Sequence, residues 1–433
     1  MTPLATAALL LVALWGAARL GGAAFGRLRQ PRVVGELLAG AALGPAVLGA
    51  LWPEASVAVT RALRDDLAAG VALDLAHHVG LVGLMFLSGA RMRGLLGPED
   101  RRAVAWLAGV GTALPFVVAL ALAPVLPLAR LEGPAGSRPA LVLVLGVAAA
   151  VTSIPVISRI FRDLGLLETR FARLVLGVAV VEDVALWAVL AAAVSLAAAT
   201  DVSWAALALD LARTAAYVGA ALALGPALVR RLERGRLAAP IERAPLAWLA
   251  LVLAAHGLAG AACGVGPVFA AFFAGLSLDG GGPAVRGRLD RLERVGYAAP
   301  IPVYFALVGL RLDLGPGLDL GLAALLLVGA CAVKLAAVGL GALLAGFRGL
   351  DVVNLAVATN ARGGPGIVLA SVALAAGIVN PLGYTSLVLL AVVSSQAAGA
   401  WLEHLVRRGR PLLAHAPGSR DVGPAGPPDE GRG

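Results

Sequence analysis

Residues 151 to 194 read VTSIPVISRIFRDLGLLETRFARLVLGVAVVEDVALWAVLAAAV. The stretch joins an apolar segment interrupted at Thr152, Ser153 and Pro155 to a short basic loop, then to a second apolar segment with Glu182 and Asp183 side by side near its middle. In a membrane those two acids are the costliest residues of the segment, and ionisable groups at bilayer depth mark pathways for ions or protons. As neighbours on one helix they point about 100 degrees apart, so they serve different partners. One is placed to face a water-filled cavity, where a desolvated carboxylate binds either a proton or a small cation. The other is placed to face a packed neighbour such as Lys334. A buried structural ion pair of Glu182 with Lys334 is the plainer alternative.

Composition sets the frame for this reading. Of 433 residues, 60% are hydrophobic and 14% charged, where soluble domains carry roughly one quarter charged residues. The chain therefore reads as an all-α polytopic membrane protein. Its net charge of +9 falls in short clusters between apolar runs, the cytoplasmic signature of a membrane protein, so nucleic acid is set aside as a partner. Cys263 and Cys331 both lie inside apolar segments and read as packing residues. The 35 basic residues include a single Lys, Lys334, in the apolar run 318 to 345. A chain that uses Arg elsewhere keeps Lys where a cation must be able to release its proton. Snorkelling of Lys334 to an interface is the alternative.

Apolar runs long enough to span lie at roughly 3 to 20, 33 to 51, 71 to 90, 103 to 124, 139 to 160, 172 to 199, 203 to 229, 245 to 263, 265 to 279, 296 to 312, 318 to 345, 351 to 376 and 381 to 405, thirteen in all. Loops after the odd-numbered runs, with the tail, hold 27 Arg, against 5 after the even-numbered runs. Basic residues accumulate on the cytoplasmic side, so this alternation predicts the N-terminus outside and the C-terminus inside. The first run lacks a basic segment before it and reads as a retained span. The tail, 410 to 433, is rich in Pro and Gly and reads as disordered, with no room for a nucleotide-binding regulatory domain.

Thirteen spans suggest two six-span repeats of opposite orientation joined by the seventh. The fifth run breaks at Thr152, Ser153 and Pro155, and the twelfth at Asn360, Arg362, Gly363, Gly364, Pro365 and Gly366. Pro155 and Pro365 are 210 residues apart, which pairs these two runs. Broken helices at matching places in two halves point to a transporter's binding site, with half-helix ends of both signs gathered at mid-depth. The same offset carries Asp183 to Val393, beside Ser394, Ser395 and Gln396, so the site is asymmetric. Arg362 reads equally as support for a half-helix C-terminus and as a partner of a carboxylate. His77, His78 and His256 read as hydrogen-bonded packing. Glu36 is expected at the cytoplasmic end of its span.

Taken together, QPRVVGELLAGAALGP (30 to 45), VTSIPVISRIFRDLGLL (151 to 167), LVLGVAVVEDV (174 to 184), PVYFALVGLRLDL (302 to 314), Lys334 and ATNARGGPGIVLASVALAAGIVN (358 to 380) resemble the monovalent cation:proton antiporters, and the branch that includes bacterial potassium-efflux exchangers. The resemblance implies inverted repeats, a homodimer in a bacterial inner membrane, and an elevator-like core. It implies a dimerisation domain from 1–92 and 245–312, a core from 103–199 and 318–405, and a linker helix at 203–229. It implies Asp183 as the site of a transient Na⁺ or K⁺ and of H⁺, Glu182 with Lys334 as a proton-sensitive pair, and Thr152, Ser153, Pro155, Thr359, Asn360, Arg362, Gly363 and Gly364 lining the site. No cofactor is implied beyond the transported ions, and lipid is the surrounding partner. Two departures stand out: the family often has two aspartates where this chain has Glu182 then Asp183, and an acid near Arg91, where this chain reads FLSGARMR (86 to 93).

The function that follows is exchange of Na⁺, or alternatively K⁺, for H⁺ by alternating access, electrogenic if both acids take part. A channel would have no need of a titratable Lys or of paired broken helices. A Na⁺-coupled organic anion symporter could share the architecture. An enzyme would need a nucleophile with its base, an aspartyl pair on two helices, or a metal-binding HExxH, and the sequence holds none of these.

Overall fold

The computed structural model describes residues 3–27, 32–44, 67–91, 100–198, 204–235, 237–278, 283–312 and 318–413, together with residues 48, 52 and 54. Their regular structure is helical, as an apolar chain in a bilayer requires: each backbone N–H and C=O must find its partner within the protein, and a helix supplies it locally. The helices are α1 (Pro3–Arg27), α2 (Arg32–Leu43), α3 (Leu67–Arg91), α4 (Arg101–Leu122), α5 (Arg138–Ala150), α6 (Ile154–Asp163), α7 (Arg170–Ala198), α8 (Trp204–Ala223), α9 (Gly225–Arg234), α10 (Ala238–Arg243), α11 (Pro245–Ala262), α12 (Pro267–Ser277), α13 (Pro283–Ala298), α14 (Pro300–Leu310), α15 (Leu320–Leu344), α16 (Leu350–Thr359), α17 (Gly363–Ala375) and α18 (Pro381–Arg407). Among the described residues, 8 helices are long and apolar enough to cross a membrane, and Arg138–Ala150 and Pro267–Ser277 are shorter apolar helices. The chain is a multi-pass membrane protein.

The helices pack in two groups. In one, α3 lies along α12 and α14, and α2 against α1 and α14; in the other, α4 lies along α5, α7 and α15, and α15 along α16 and α18. Helix α8 touches both, through α7 on one side and α12 on the other. The first group is drawn tight by small residues, the usual means of helix association where lipid offers no hydrophobic contrast. A Cβ added to Gly40 would stand 1.9 Å from the Ala306 carbonyl oxygen, and one added to Gly309 would stand 1.9 Å from that of Leu37. Gly89 and Gly275 make the same reciprocal approach between α3 and α12.

Several boundaries differ from the sequence reading. Residues 283–298, read as a basic loop, form α13, because Val285, Leu289, Leu292 and Gly296 recur at helical spacing and turn inward while the arginines face out. Arg91 finds its acid on this helix, pairing with Glu293 and lying over the Tyr297 ring at 5.6 Å. The run 203 to 229 is interrupted at Leu224, with Pro226 in the first turn of α9, where its missing N–H costs nothing. The runs 245 to 263 and 265 to 279 are indeed separate helices, turning through Gly264 at φ +74°. Glu36 sits in the second turn of α2, buried against Gly22 of α1. Asp319 caps α15 by accepting the Leu322 N–H at 3.0 Å, and this bond, with the charge of Arg130, holds its carboxyl below the usual range. The end of the run 33 to 51 and the tail beyond residue 413 fall largely or wholly outside the described residues.

Candidate functional site

Two helices of the second group are broken, and the breaks meet. Helix α5 ends at Ala150 and α6 starts at Ile154; α16 ends at Thr359 and α17 starts at Gly363. Where α5 begins and α17 ends, Glu132 and Val379 form an antiparallel bridge, flanked by Gly133 N–H to Ile378 O at 3.0 Å and Asn380 N–H to Leu131 O at 2.9 Å. The two broken helices thus run antiparallel, and at their middles the Ser153 N–H donates to Ala361 O at 2.6 Å.

The second break is narrower than the sequence suggests. Gly363, Gly364, Pro365 and Gly366 are the first turn of α17, and Pro155 stands likewise in the first turn of α6; its side chain lies outside the described residues. A proline there loses no intrahelical bond, so both prolines mark where the second half-helix starts. Ser153 caps α6, its Oγ accepting the Val156 N–H at 3.3 Å. The first N–H of α17, that of Gly363, donates to Ser395 Oγ at 2.8 Å.

A helix end leaves its last four carbonyls without internal partners, and a buried one must find them elsewhere. At α5, Val147 O accepts from Val151 N–H at 2.9 Å, Ala148 O from Arg362 Nε at 2.7 Å, Ala149 O from Arg362 Nη2 at 2.9 Å, and Ala150 O from Lys334 Nζ. At α16, the one proton of Thr359 Oγ1 is shared between Leu355 O at 2.8 Å and Ala356 O at 3.1 Å, while Val357 O accepts from Asn360 N–H at 3.1 Å, Ala358 O from Ala361 N–H at 3.4 Å, and Thr359 O from Thr152 Oγ1 at 2.6 Å. Each end draws donors from the other broken helix's half of the chain. The negative end of α5 carries two cations, Arg362 and Lys334, a favourable placement for positive charge.

Arg362, 1% exposed, spends its remaining donors on Ala330 O at 2.9 Å, Asn360 O at 3.2 Å and Asn360 Oδ1 at 2.7 Å, with Cys331 Sγ at 3.7 Å. Of the two readings open for Arg362, helix-end support is the one its contacts express. Lys334 is wholly buried, which excludes snorkelling. Its Nζ faces Ala150 O, Gly111 O at 3.4 Å and Glu182 Oε1 at 2.5 Å, three acceptors around one point, which suits the three donors of an ammonium better than the planar fork of Arg. Gly111 makes room for this pair, since a Cβ there would lie 2.9 Å from Val338 Cγ2 and 3.3 Å from Glu182 Oε1.

The two acids are divided as neighbours on one helix must be. Glu182 is fully buried between Lys334 and Thr152, whose Oγ1 lies 2.6 Å from Oε2. Asp183, 2% exposed, is not paired to Lys334, and its Oδ1 is buried without a hydrogen-bond partner in the protein. Buried carboxylate oxygens are ordinarily satisfied, and this one is an exception. One turn further on, Trp187 packs its ring at 5.3 Å from Phe269 of α12, the other helix group. Among the described residues no group of three or more His, Cys, Asp or Glu side chains could hold a resident metal. His256 bonds Ser277 Oγ at 2.9 Å and Val252 O at 3.0 Å, as packing, and His77 lies against Tyr304.

The structure therefore brings Thr152, Ser153, Glu182, Lys334, Thr359, Asn360, Arg362 and Gly363 to one crossing point, with Asp183 beside it. Gly364 lies on the side toward Phe305 of α14. Sequence reasoning missed Gly111 and Trp187; an isolated glycine inside an apolar helix was the available signal for the first. Gly363 has φ +36°, and a Cβ on it would stand 2.3 Å from Val156 Cγ2 and 2.8 Å from Ser153 Oγ. Gly363→Ala therefore combines backbone strain with overpacking and is expected to cost about 2–5 kcal/mol, read as a lowered thermal unfolding midpoint in detergent.

The chain is similar to several known proteins in sequence and in fold. The Na(+)/H(+)-K(+) antiporter GerN of Bacillus cereus is 25% identical over 384 residues, covering 87% of this chain and 90% of that protein. The Na(+)/H(+) antiporter NhaS4 of Synechocystis sp. is 26% identical, covering 89% and 93%. Cation/H(+) antiporter 18 of Arabidopsis thaliana is 29% identical over 66% of this chain, and the chain spans only 34% of that protein's length. The fold matches that of the sodium proton antiporter MjNhaP1 from Methanocaldococcus jannaschii with TM-score 0.58, at 15% identity, over 94% of this chain and 99% of that one. Residues 10–408 match the family described as sodium/hydrogen exchanger, transmembrane, and the chain belongs to that family.

Proposed function

We propose that this chain exchanges Na⁺ for H⁺ across a bacterial inner membrane by alternating access, with Asp183 as the group for which the two ions compete. The observation that carries this reading is the buried, unpartnered Oδ1 of Asp183 next to two crossed helix breaks. Cation binding at Asp183 displaces protons, and the loaded core then opens to the other side. Thr152, Ser153, Pro155, Thr359, Asn360, Arg362, Gly363 and Gly364 form or support the walls of this site.

The reading includes thirteen spans with the N-terminus outside and the C-terminus inside, supported by the alternation of Arg between loops. Helices α4 to α7 with α15 to α18 act as the moving core; α1 to α3 with α11 to α14 act as the dimerisation domain of a homodimer, and α8 links them. The separate packing of the two helix groups supports that division. K⁺ is the second reading for the cation, since GerN is named for both ions and a yeast relative, 26% identical over 86% of this chain, is named a K(+)/H(+) antiporter.

The test is dye-reported proton flux in reconstituted vesicles, with Na⁺, Li⁺ and K⁺ in turn, with and without a clamped membrane potential. Saturable, Na⁺-dependent proton movement is expected; ohmic conductance without coupling would make the protein a channel, and Na⁺ entry without proton movement a symporter. Electrogenic exchange needs a second proton, which the Glu182 and Lys334 pair supplies. Lys334→Gln is accordingly expected to leave exchange running while its rate stops responding to the clamped potential.

A further inference from the structure

Thr152 carries one hydroxyl proton and stands between two oxygens. Its Oγ1 lies 2.6 Å from Thr359 O, at the end of α16, and 2.6 Å from Glu182 Oε2 on α7. Both separations are those of O–H···O hydrogen bonds, yet a hydroxyl donates only once. The Thr359 carbonyl has no proton to give. The second bond must take its proton from the carboxyl group.

We infer that in this conformation Glu182 carries a proton on Oε2 and donates it to Thr152 Oγ1, while Thr152 donates to Thr359 O, which makes Thr152 the positioning residue that ties the proton load of Glu182 to the end of the second broken helix. The remaining contacts close around this assignment. Lys334 Nζ has three protons for Ala150 O, Gly111 O and Glu182 Oε1. No donor is left over and no acceptor is left empty. An ionised Glu182 would instead set two oxygens 2.6 Å apart with no proton between them, either at Oε2 or at Thr359 O. The charged groups around the carboxyl are Lys334 from α15, Asp183 beside it on α7, and Arg362 from the second break.

The consequence is mechanical. When Glu182 gives up its proton, only one of the two Thr152 bonds survives. Either the contact to α7 opens or the Thr359 carbonyl loses its only side-chain donor, so release of the proton disturbs the point where the two broken helices cross. This rests on the reading of Glu182 as a proton carrier and adds the part that senses it.

The experiment compares the full chain with four variants in detergent and in vesicles at neutral pH. Glu182→Gln reproduces a protonated carboxyl, since its oxygen accepts from Lys334 and its amide donates to Thr152. Its thermal unfolding midpoint is expected to match the parent, and the protonated-carboxyl infrared band that belongs to Glu182, identified as the one that persists in Asp183→Asn, is expected to vanish in Glu182→Gln and to shift in Thr152→Val. In transport, Thr152→Val is expected to displace the pH of half-maximal exchange and Thr152→Ser to restore it. A parent without a Glu182-dependent protonated band, together with a Glu182→Gln variant that unfolds well below it, would overturn the inference and leave an ordinary buried ion pair. If Thr152→Val does not fold, the parent and Glu182→Gln spectra still decide. Asp183→Asn separates the two claims: if it exchanges ions while the band persists, the transport reading falls and this one stands; if it is inert while the band is missing, the reverse holds.

Discussion

Asp183→Asn reduces cation-coupled proton flux to the leak of protein-free vesicles while the chain stays folded. Among the described residues, Oδ1 of this carboxylate is a buried acidic oxygen beside the crossed breaks without a hydrogen-bond partner, whereas Glu182 is engaged by Lys334 and Thr152. Asn keeps the shape and removes the charge. Without the charge a dehydrated monovalent cation has no counter-ion at that depth, and without the titratable oxygen a proton has no carrier. Since Oδ1 has no hydrogen bond to lose, stability is expected to change little, and the thermal unfolding midpoint measured beside the flux separates loss of function from loss of fold.

Arg362→Ala acts in the opposite way, on the fold before the function. Truncation strands Ala148 O and Ala149 O at the buried end of α5, while Ala330 O, inside α15, keeps its intrahelical partner. Each stranded carbonyl costs about 1–3 kcal/mol. Two of them bring the loss to roughly 2–6 kcal/mol before the lost pairing to Asn360 is added, a large share of the 5–15 kcal/mol that holds a typical domain together. The expected result is little monodisperse protein on gel filtration. Arg362→Lys is expected to recover part of it, because one ammonium reaches one side of the break but does not reproduce the fork that spans α5, α15 and Asn360.

The chain's breaks and charges were legible in the sequence for a physical reason: each is a local violation of what an apolar helix tolerates. Pro155, the Asn360 to Gly366 run, two adjacent acids and a lone Lys in an Arg-rich chain stand out because their costs are local. What the sequence left open is what compensates them. That Arg362 and Lys334 close the carbonyl end of α5, while Thr152 closes the last carbonyl of α16 and Ser153 bonds the break beyond it, depends on two segments about 200 residues apart crossing, and no periodicity encodes the crossing. The width of the second break was overread because glycines and Pro365 look like an interruption, whereas a proline in a first turn begins a helix. Helix α13 was missed because its four arginines, 286, 288, 291 and 294, were counted as loop charge, while its apolar stripe of Val285, Leu289 and Leu292 is short. The 210-residue offset led from Asp183 to the Ser394–Ser395 region; the structure gives Ser395 a different task from Asp183, receiving the first N–H of α17.

Competition between a cation and a proton for Asp183 is the claim on which the rest depends, and it is open to measurement without any transport. Na⁺ added to the purified full chain in weakly buffered detergent should release protons into the medium, and the same addition to Asp183→Asn should release none. Equal release from both proteins, or none from either at saturating Na⁺ and K⁺, would contradict the account.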